Sequence, residues 1–355
     1  MMKKPETIKI LIVDDSAFMR KVIGDILSED PLFEVIGRAR NGTEAIEAVR
    51  TLSPSVVTLD IEMPGKSGIE VLKEIMDFKP IPVVMVSSLT KEGANVTMQA
   101  LDLGAVDFVT KPSGNISLDM QKVGEELRRK VACASRAVLF GARRAKRLPH
   151  VRELLHAPPL RDVSKGKFEI LVVAASTGGP MALQEIIPNL PQDFPLPVMI
   201  VQHMPPGFTT SFAHRLDERS KLSVVEGHDG MPVRKGTAVI APGGYHLMVE
   251  KKGVEILCKL AETPLVRSVR PAADVLFTSA AETMGGNVLA LILTGMGKDG
   301  LDGSKLLKEK GAYVIAESKE TSVIFGMPGA VIAAGLADEV LPLDAIAEGL
   351  ERAAR

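Results

Sequence analysis

Two groups of residues in this 355-residue chain carry side chains suited to chemistry, and both stand at the ends of apolar runs. The first is Ser176, His203 and Asp299, within LVVAASTGGP, VQHMPPGF and LTGMGKDG. A serine hydroxyl is a poor nucleophile near neutral pH; it needs an imidazole to take its proton and a carboxylate to fix that imidazole's tautomer and stabilise its charged form. The three residues therefore point to nucleophilic acyl transfer. Backbone N–H groups of the glycine-rich turns are available for an oxyanion, at roughly 3 kcal/mol per donor. The second group is Asp14, Asp15, Asp60, Ser87 and Lys111. Carboxylates crowded on one edge repel one another unless a cation shares the site, and an oxygen-rich, incompletely filled shell suits Mg²⁺. Lys111 then neutralises phosphoryl oxygens, the Ser87 hydroxyl bonds another, and Asp60 accepts the phosphoryl group.

Each group needs strands that deliver its members to a common edge. Apolar runs at 8–13, 55–59, 81–86 and 105–109 end in Asp14 and Asp15, Asp60, Ser87 and Lys111, and a parallel sheet brings such ends together. A helix from Ser16 places Phe18, Met19, Val22, Ile23, Ile26 and Leu27 on one face. Farther on, runs at 169–175, 198–202 and 287–293 lead to Ser176, His203 and Asp299. Segments 237–241, 246–250 and 254–258 read as antiparallel strands joined by glycine-containing turns, followed by a helix over 272–284 and strands at 313–316 and 339–341.

The stretch around Ser176 has two readings. Gly178 and Gly179 permit close backbone approach and Pro180 fits a first helical turn, so Ser176 is either an exposed nucleophile or a plain N-cap beside a turn. His214, His228 and His246 compete with His203, which position favours over His246. Asp217, Asp229, Asp274 and Asp302 compete with Asp299, Asp302 on equal local terms. The order serine, histidine, aspartate differs from that of α/β-hydrolases, and their G-x-S-x-G elbow is missing from this stretch.

Composition narrows the classes. A chain 46% hydrophobic and 25% charged reads as globular and of two or three domains. No run reaches the length of a membrane span, and the N-terminal residues lead straight into a strand, so a cytoplasmic protein without membrane insertion is expected. Cys133 and Cys258 lack the spacing of a zinc site or a disulfide framework. A net charge of -1, no Trp and two Tyr argue against nucleic acid as a partner. Residues 128–167 hold twelve Lys or Arg against two acids, together with several prolines, and read as a helix end running into a solvated basic linker.

The motifs carry a family resemblance. VDDS, Asp60 with MPG behind it, VSS and DFVTKPSG resemble the receiver domain of bacterial two-component response regulators. AASTGGP, VQHMPPGFT, APGGYHL, ADVLFTSAA, LTGMGKDG and FGMPGA resemble the CheB-type methylesterase domain of bacterial chemotaxis. The resemblance implies two doubly wound α/β domains: a flavodoxin-like receiver at 6–125 and, after a basic linker at 126–167, a mostly parallel esterase domain with an antiparallel hairpin region at 168–355. It implies Asp60 as phosphoacceptor, Asp14 and Asp15 with it as Mg²⁺ ligands, and Ser87, Phe108 and Lys111 as receiver switch residues. In the esterase, Ser176 becomes the nucleophile, His203 the acid and base, Asp299 its orienting carboxylate, and the Met296 and Thr177 amides the oxyanion donors. The implied activity is hydrolysis of glutamate methyl esters, and deamidation of glutamines, on methyl-accepting chemoreceptors, with no cofactor for that step. The histidine kinase CheA would phosphorylate Asp60 and relieve inhibition by the receiver. From the residues alone, a non-enzymatic regulator binding a phosphate ligand, or a DNA-binding one, is the alternative.

Overall fold

The computed structural model describes residues 7–111, 118–137 and 167–355, and the chain divides into two compact units, Met1–Lys146 and Arg147–Arg355. Most of the expected linker at 126–167 lies outside the described residues.

In the first unit five strands, β1 (Ile8–Val13), β2 (Phe33–Ala39), β3 (Val56–Asp60), β4 (Val83–Ser87) and β5 (Asp107–Thr110), form a sheet of order β2-β1-β3-β4-β5. All its pairings are parallel. The central strands are nearly continuous apolar runs because helices cover both faces. Those helices are α1 (Ala17–Ser28), α2 (Gly42–Leu52), α3 (Gly68–Phe78), α4 (Lys91–Asp102) and α5 (Leu118–Ala134). Ser16 caps α1, and a Ser67–Glu70 capping box opens α3. The expected receiver boundary at residue 125 falls inside α5, which packs on β5 and α1; the Lys130 ammonium donates to the Phe108 carbonyl at 2.6 Å.

The second unit holds a seven-stranded sheet of order β14-β13-β12-β6-β7-β9-β8. Its strands are β6 (Ile170–Ala175), β7 (Val198–Gln202), β8 (Ser223–Glu226), β9 (Thr237–Ile240), β12 (Val288–Ile292), β13 (Tyr313–Glu317) and β14 (Glu339–Leu341). Every pairing is parallel. Helices α6 (Gly179–Ile186), α7 (Phe208–Asp217), α8 (Ala273–Met284), α9 (Leu301–Glu309), α10 (Met327–Ala333) and α11 (Leu343–Ala354) pack around it. Strands β10 (His246–Lys252) and β11 (Glu255–Ala261) pair as a separate antiparallel hairpin, which lies on α8.

One expectation changes. Segment 237–241 was expected to pair antiparallel with the hairpin, but β9 lies parallel between β7 and β8 inside the main sheet. The glycines that look like a hairpin turn have another task. A Cβ at Gly243 would lie 2.4 Å from the Pro205 and Pro206 backbone, so the loop after β9 must be bare to pass the loop after β7.

The order β12-β6-β7 sets the chemistry. Three neighbouring, fully buried strands end side by side, roughly 5 Å apart, and their carboxyl ends lead to Asp299, Ser176 and His203 respectively.

Candidate active site

Ser176 follows β6 on a turn closed by its own carbonyl, which accepts the Gly179 N–H at 2.7 Å, while its N–H donates to the Thr294 carbonyl at 3.1 Å. Gly178, at φ 78, is the N-cap of α6, and no side chain caps that helix. Any Cβ on Gly178 would sit 2.6 Å from that of Val323. The serine side chain is therefore free of capping duty, and the plain N-cap reading does not describe it.

His203 is held through its N–H to the Ala175 carbonyl at 3.2 Å. Its ring lies between the other two residues, with Nδ1 3.0 Å from Ser176 Oγ and Nε2 2.7 Å from Asp299 Oδ2. An ionised Asp299 only accepts, so Nε2 carries the ring proton and Nδ1 is left to accept the serine proton. The Asp299 carboxylate also accepts the Ala273, Asp274 and Gly300 N–H groups at 2.6, 2.9 and 3.0 Å. Two of these donors open α8, whose N-cap, Ala272, supplies no side-chain bond. Burial favours the neutral acid at Asp299, but the His203 hydrogen bond and charge, with the Asp274 and Ala273 amides, outweigh it and hold the carboxyl below its ordinary range.

The competing residues are occupied elsewhere. His246 is fully buried; its Nε2 donates to the Pro264 carbonyl at 3.1 Å and its Nδ1 accepts the Ala272 N–H at 3.2 Å, with burial holding its pKa down. His214 is exposed on α7 beside Glu218, and His228 donates to the Asp229 carbonyl. Asp217 and Asp229 accept the Val224 and Leu260 N–H groups. Asp302 is exposed and pairs with Arg267.

Thr177 and Met296 border the serine. Thr177 is buried and its carbonyl accepts the Thr294 hydroxyl at 3.0 Å. Met296 follows Gly295, where a Cβ would meet Ser176 Cβ at 2.8 Å; the Gly295 carbonyl is fixed by the Gly326 and Met327 N–H groups at 3.1 and 2.8 Å.

Two further side chains support the site. Gln202, a buried amide at the end of β7, donates from Nε2 to the Ser176 carbonyl at 3.0 Å and the His203 carbonyl at 3.3 Å, joining both backbones through one side chain. The signal was a lone amide in the apolar run VMIVQ. Glu317, fully buried at the end of β13, accepts the Thr294 N–H at 2.8 Å and so steadies the carbonyl partner of Ser176.

In the first unit Asp14, Asp15 and Asp60 each place a carboxylate oxygen within 4.8 Å of the others. Lys111 Nζ lies 2.7 Å from Asp60 Oδ2 and 3.5 Å from Asp14 Oδ2. Asp14 Oδ2 is buried and has no hydrogen-bond partner among the described residues. A hard divalent cation with retained waters fits this all-oxygen set and would satisfy that atom. Ser87 is fully buried; its hydroxyl accepts from Thr97 Oγ1 at 2.7 Å and lies 3.3 Å from the Gly93 carbonyl. It faces α4. Phe108 is buried with the Lys130 ammonium 4.9 Å above its ring.

Burial raises the Asp60 carboxyl to about 6; the Lys111 bond opposes this and the nearby Asp14 charge adds to it. Asp14 is raised by the same burial against the pull of Lys111. A raised carboxyl binds its proton more tightly in the folded state, so its contribution to stability is full below about pH 4 and is lost as pH rises through about 6. Without added divalent cation, Asp60→Asn should match wild type in urea unfolding near pH 4 and exceed it by ~2 kcal/mol near pH 7, after allowance for the lost Lys111 bond. A constant or reversed difference across that range would contradict it.

Taken together, the geometry describes an α/β protein of two units, one with a cluster of carboxylates at the carboxyl edge of its sheet and one with a serine, histidine and aspartate line at the carboxyl edge of its own. The CheB methylesterase family matches residues 171–350, and the response regulator receiver domain family matches residues 10–120. A Geobacillus kaustophilus relative named protein-glutamate methylesterase/protein-glutamine glutaminase is 50% identical, over 97% of this chain and 98% of its own. One of the same name from Pyrococcus horikoshii is 45% identical, over 98% of this chain and 93% of its own. The crystal structure of the Thermotoga maritima CheB methylesterase catalytic domain, at 49% identity, covers 52% of this chain and 98% of that one with a TM-score of 0.51. The chain belongs to the CheB methylesterase family. Among the described residues no helix is long and apolar enough to cross a membrane.

Proposed function

We propose that this chain is a phosphorylation-regulated protein-glutamate methylesterase and protein-glutamine glutaminase that acts on methyl-accepting chemoreceptors, with Ser176, His203 and Asp299 as its catalytic residues. The observation that carries the reading is the unbroken line from Ser176 Oγ through the His203 ring to Asp299. Ser176 Oγ attacks the γ-ester carbonyl while His203 Nδ1 takes its proton, and the Met296 and Thr177 amides receive the oxyanion. Collapse expels methanol, which leaves with the proton from His203. Water, deprotonated by the same nitrogen, then cleaves the serine ester, restoring the serine and leaving a glutamate. With a glutamine side chain the leaving group is ammonia and the remaining steps are unchanged. A purely ligand-binding output unit is not favoured, since the relatives carry the enzyme's name over nearly the whole chain.

Asp60 is the phosphoacceptor in this reading, supplied by a histidine kinase of the CheA type. Asp14, Asp15 and Asp60 would hold Mg²⁺, which when bound offsets the charge that builds on the phosphoryl oxygens. Lys111 neutralises a further oxygen. Ser87 must release Thr97 to reach the phosphoryl group, and the neighbouring Phe108 is the aromatic that responds to that movement. The enzyme is assigned to the cytoplasm. Methanol release from methylated receptor membranes, measured with Mg²⁺ and a small acyl phosphate donor, tests the whole reading. Wild type should release methanol faster once the donor is added, and Asp60→Asn should not respond. No release by wild type, or equal stimulation of both, would overturn it.

A further inference from the structure

Asp274 stands behind Asp299 with Arg267 on its carboxylate, and the acyl-transfer chemistry makes no use of either side chain. Asp274 sits in the first turn of α8, and its N–H donates to Asp299 Oδ1 at 2.9 Å. Its own carboxylate is 7% exposed by residue, accepting the Gly303 N–H at 2.9 Å through Oδ1 and Arg267 Nε at 2.7 Å through Oδ2. Arg267 reaches Asp274 from the turn between Val266 and Val269, which bond each other's backbones at 3.2 and 3.0 Å. Both residues of that turn, Arg267 at φ 50 and Ser268 at φ 66, lie in the left-handed region that glycine or asparagine usually fills. A strained turn is retained where the surrounding contacts demand it. Here the contact is an ion pair whose carboxylate is buried and whose guanidinium is partly exposed, one peptide unit from the carboxylate that accepts from His203.

We propose that Asp274 and Arg267 are positioning residues for the esterase reaction: the pair fixes the start of α8 against Asp299 and balances the charge felt by His203 as it becomes an imidazolium. The proposal rests on the reading of Ser176, His203 and Asp299 as the acyl-transfer residues. The logic is electrostatic. Burial makes the lone Asp274 charge costly, its neighbour Asp299 adds to that cost, and Gly303 and Arg267 counter it without cancelling it. The charged and titratable groups around the relay are Asp274 and Asp299, Arg267, His246, Arg270 beyond it, and the exposed Asp302 on the outer side of Arg267. Arg267 lies between two carboxylates, Asp274 and the exposed Asp302, so the cluster carries one cation and two anions. Removing the Asp274 charge makes this cluster less negative, whereas reversing Arg267 makes it more negative.

These two changes move the pH profile in opposite senses. In the full chain, Asp274→Asn should make the imidazolium harder to form, moving the acidic limb of kcat/KM down by about 0.5 to 1 pH unit and lowering kcat ~10-fold at unchanged KM. Arg267→Glu should move the same limb up by about the same amount. A role confined to folding would depress activity without displacing the limb, or displace it the same way in both variants, and either result would overturn the proposal. If Asp274→Asn does not fold, Arg267→Glu, on a partly exposed turn, decides alone: an unmoved limb rejects the idea. Ser176→Ala in the same assay separates the two levels. If it keeps its activity the acyl-transfer reading fails; if it is inactive while the limbs of the other variants stay still, only this proposal fails.

Discussion

Ser176→Ala is expected to abolish methanol release, with a fall in kcat of ~10⁶-fold, the scale on which loss of a serine nucleophile acts in a comparable relay. The fold should not notice. Among the described residues Ser176 Oγ bonds the largely buried His203 ring, and the backbone bonds that shape the turn come from its N–H and carbonyl. Loss of a single such bond leaves unfolding by urea within ~1 kcal/mol of wild type. Methanol release and urea unfolding on one preparation check both halves. Appreciable residual release from a folded variant would remove the serine from the mechanism.

Asp299→Asn should fail in two ways at once. Both carboxylate oxygens accept backbone N–H groups, Oδ1 from Asp274 and Gly300 and Oδ2 from Ala273 beside His203. An asparagine must turn its NH₂ toward one of these sets, so whichever way it rotates, a buried donor faces a donor. That costs ~1 to 3 kcal/mol of stability. The same clash disturbs the tautomer of His203, and kcat should drop by ~10⁴-fold. The pH dependence has a definite sign. A carboxyl held low in the folded state contributes stability above its unfolded pKa of about 4, and that contribution is lost only as pH falls through the lower folded value. Wild type should therefore exceed Asp299→Asn by a constant margin from about pH 5 upward, with the margin shrinking in stronger acid. A variant as stable as wild type would show that Asp299 does not hold α8.

The contrast between these two residues also explains what was legible in the sequence. Strand ends were readable because buried parallel strands are continuous apolar runs, and a polar residue at the end of such a run stands out. Ser176, His203 and Asp60 were all found that way. Strand order was not readable: nothing in TAVI distinguishes an edge hairpin strand from the parallel neighbour of β7, and the adjacent glycines pointed to the wrong answer. Likewise Asp299 and Asp302 are equivalent in a glycine-rich stretch until α8 arrives to donate its N–H groups to one of them. Gln202 was passed over because a single amide closing an apolar strand carries no motif, although its two bonds tie the serine and histidine backbones together.

The shared duty of Asp299 has a consequence for reading divergent copies of this domain. A copy that has given up catalysis can discard the serine at almost no structural cost, but it cannot easily discard the aspartate, because a helix begins on it. Retention of Asp299 in a diverged gene is then a record of folding, and the fate of position 176 is the record of activity.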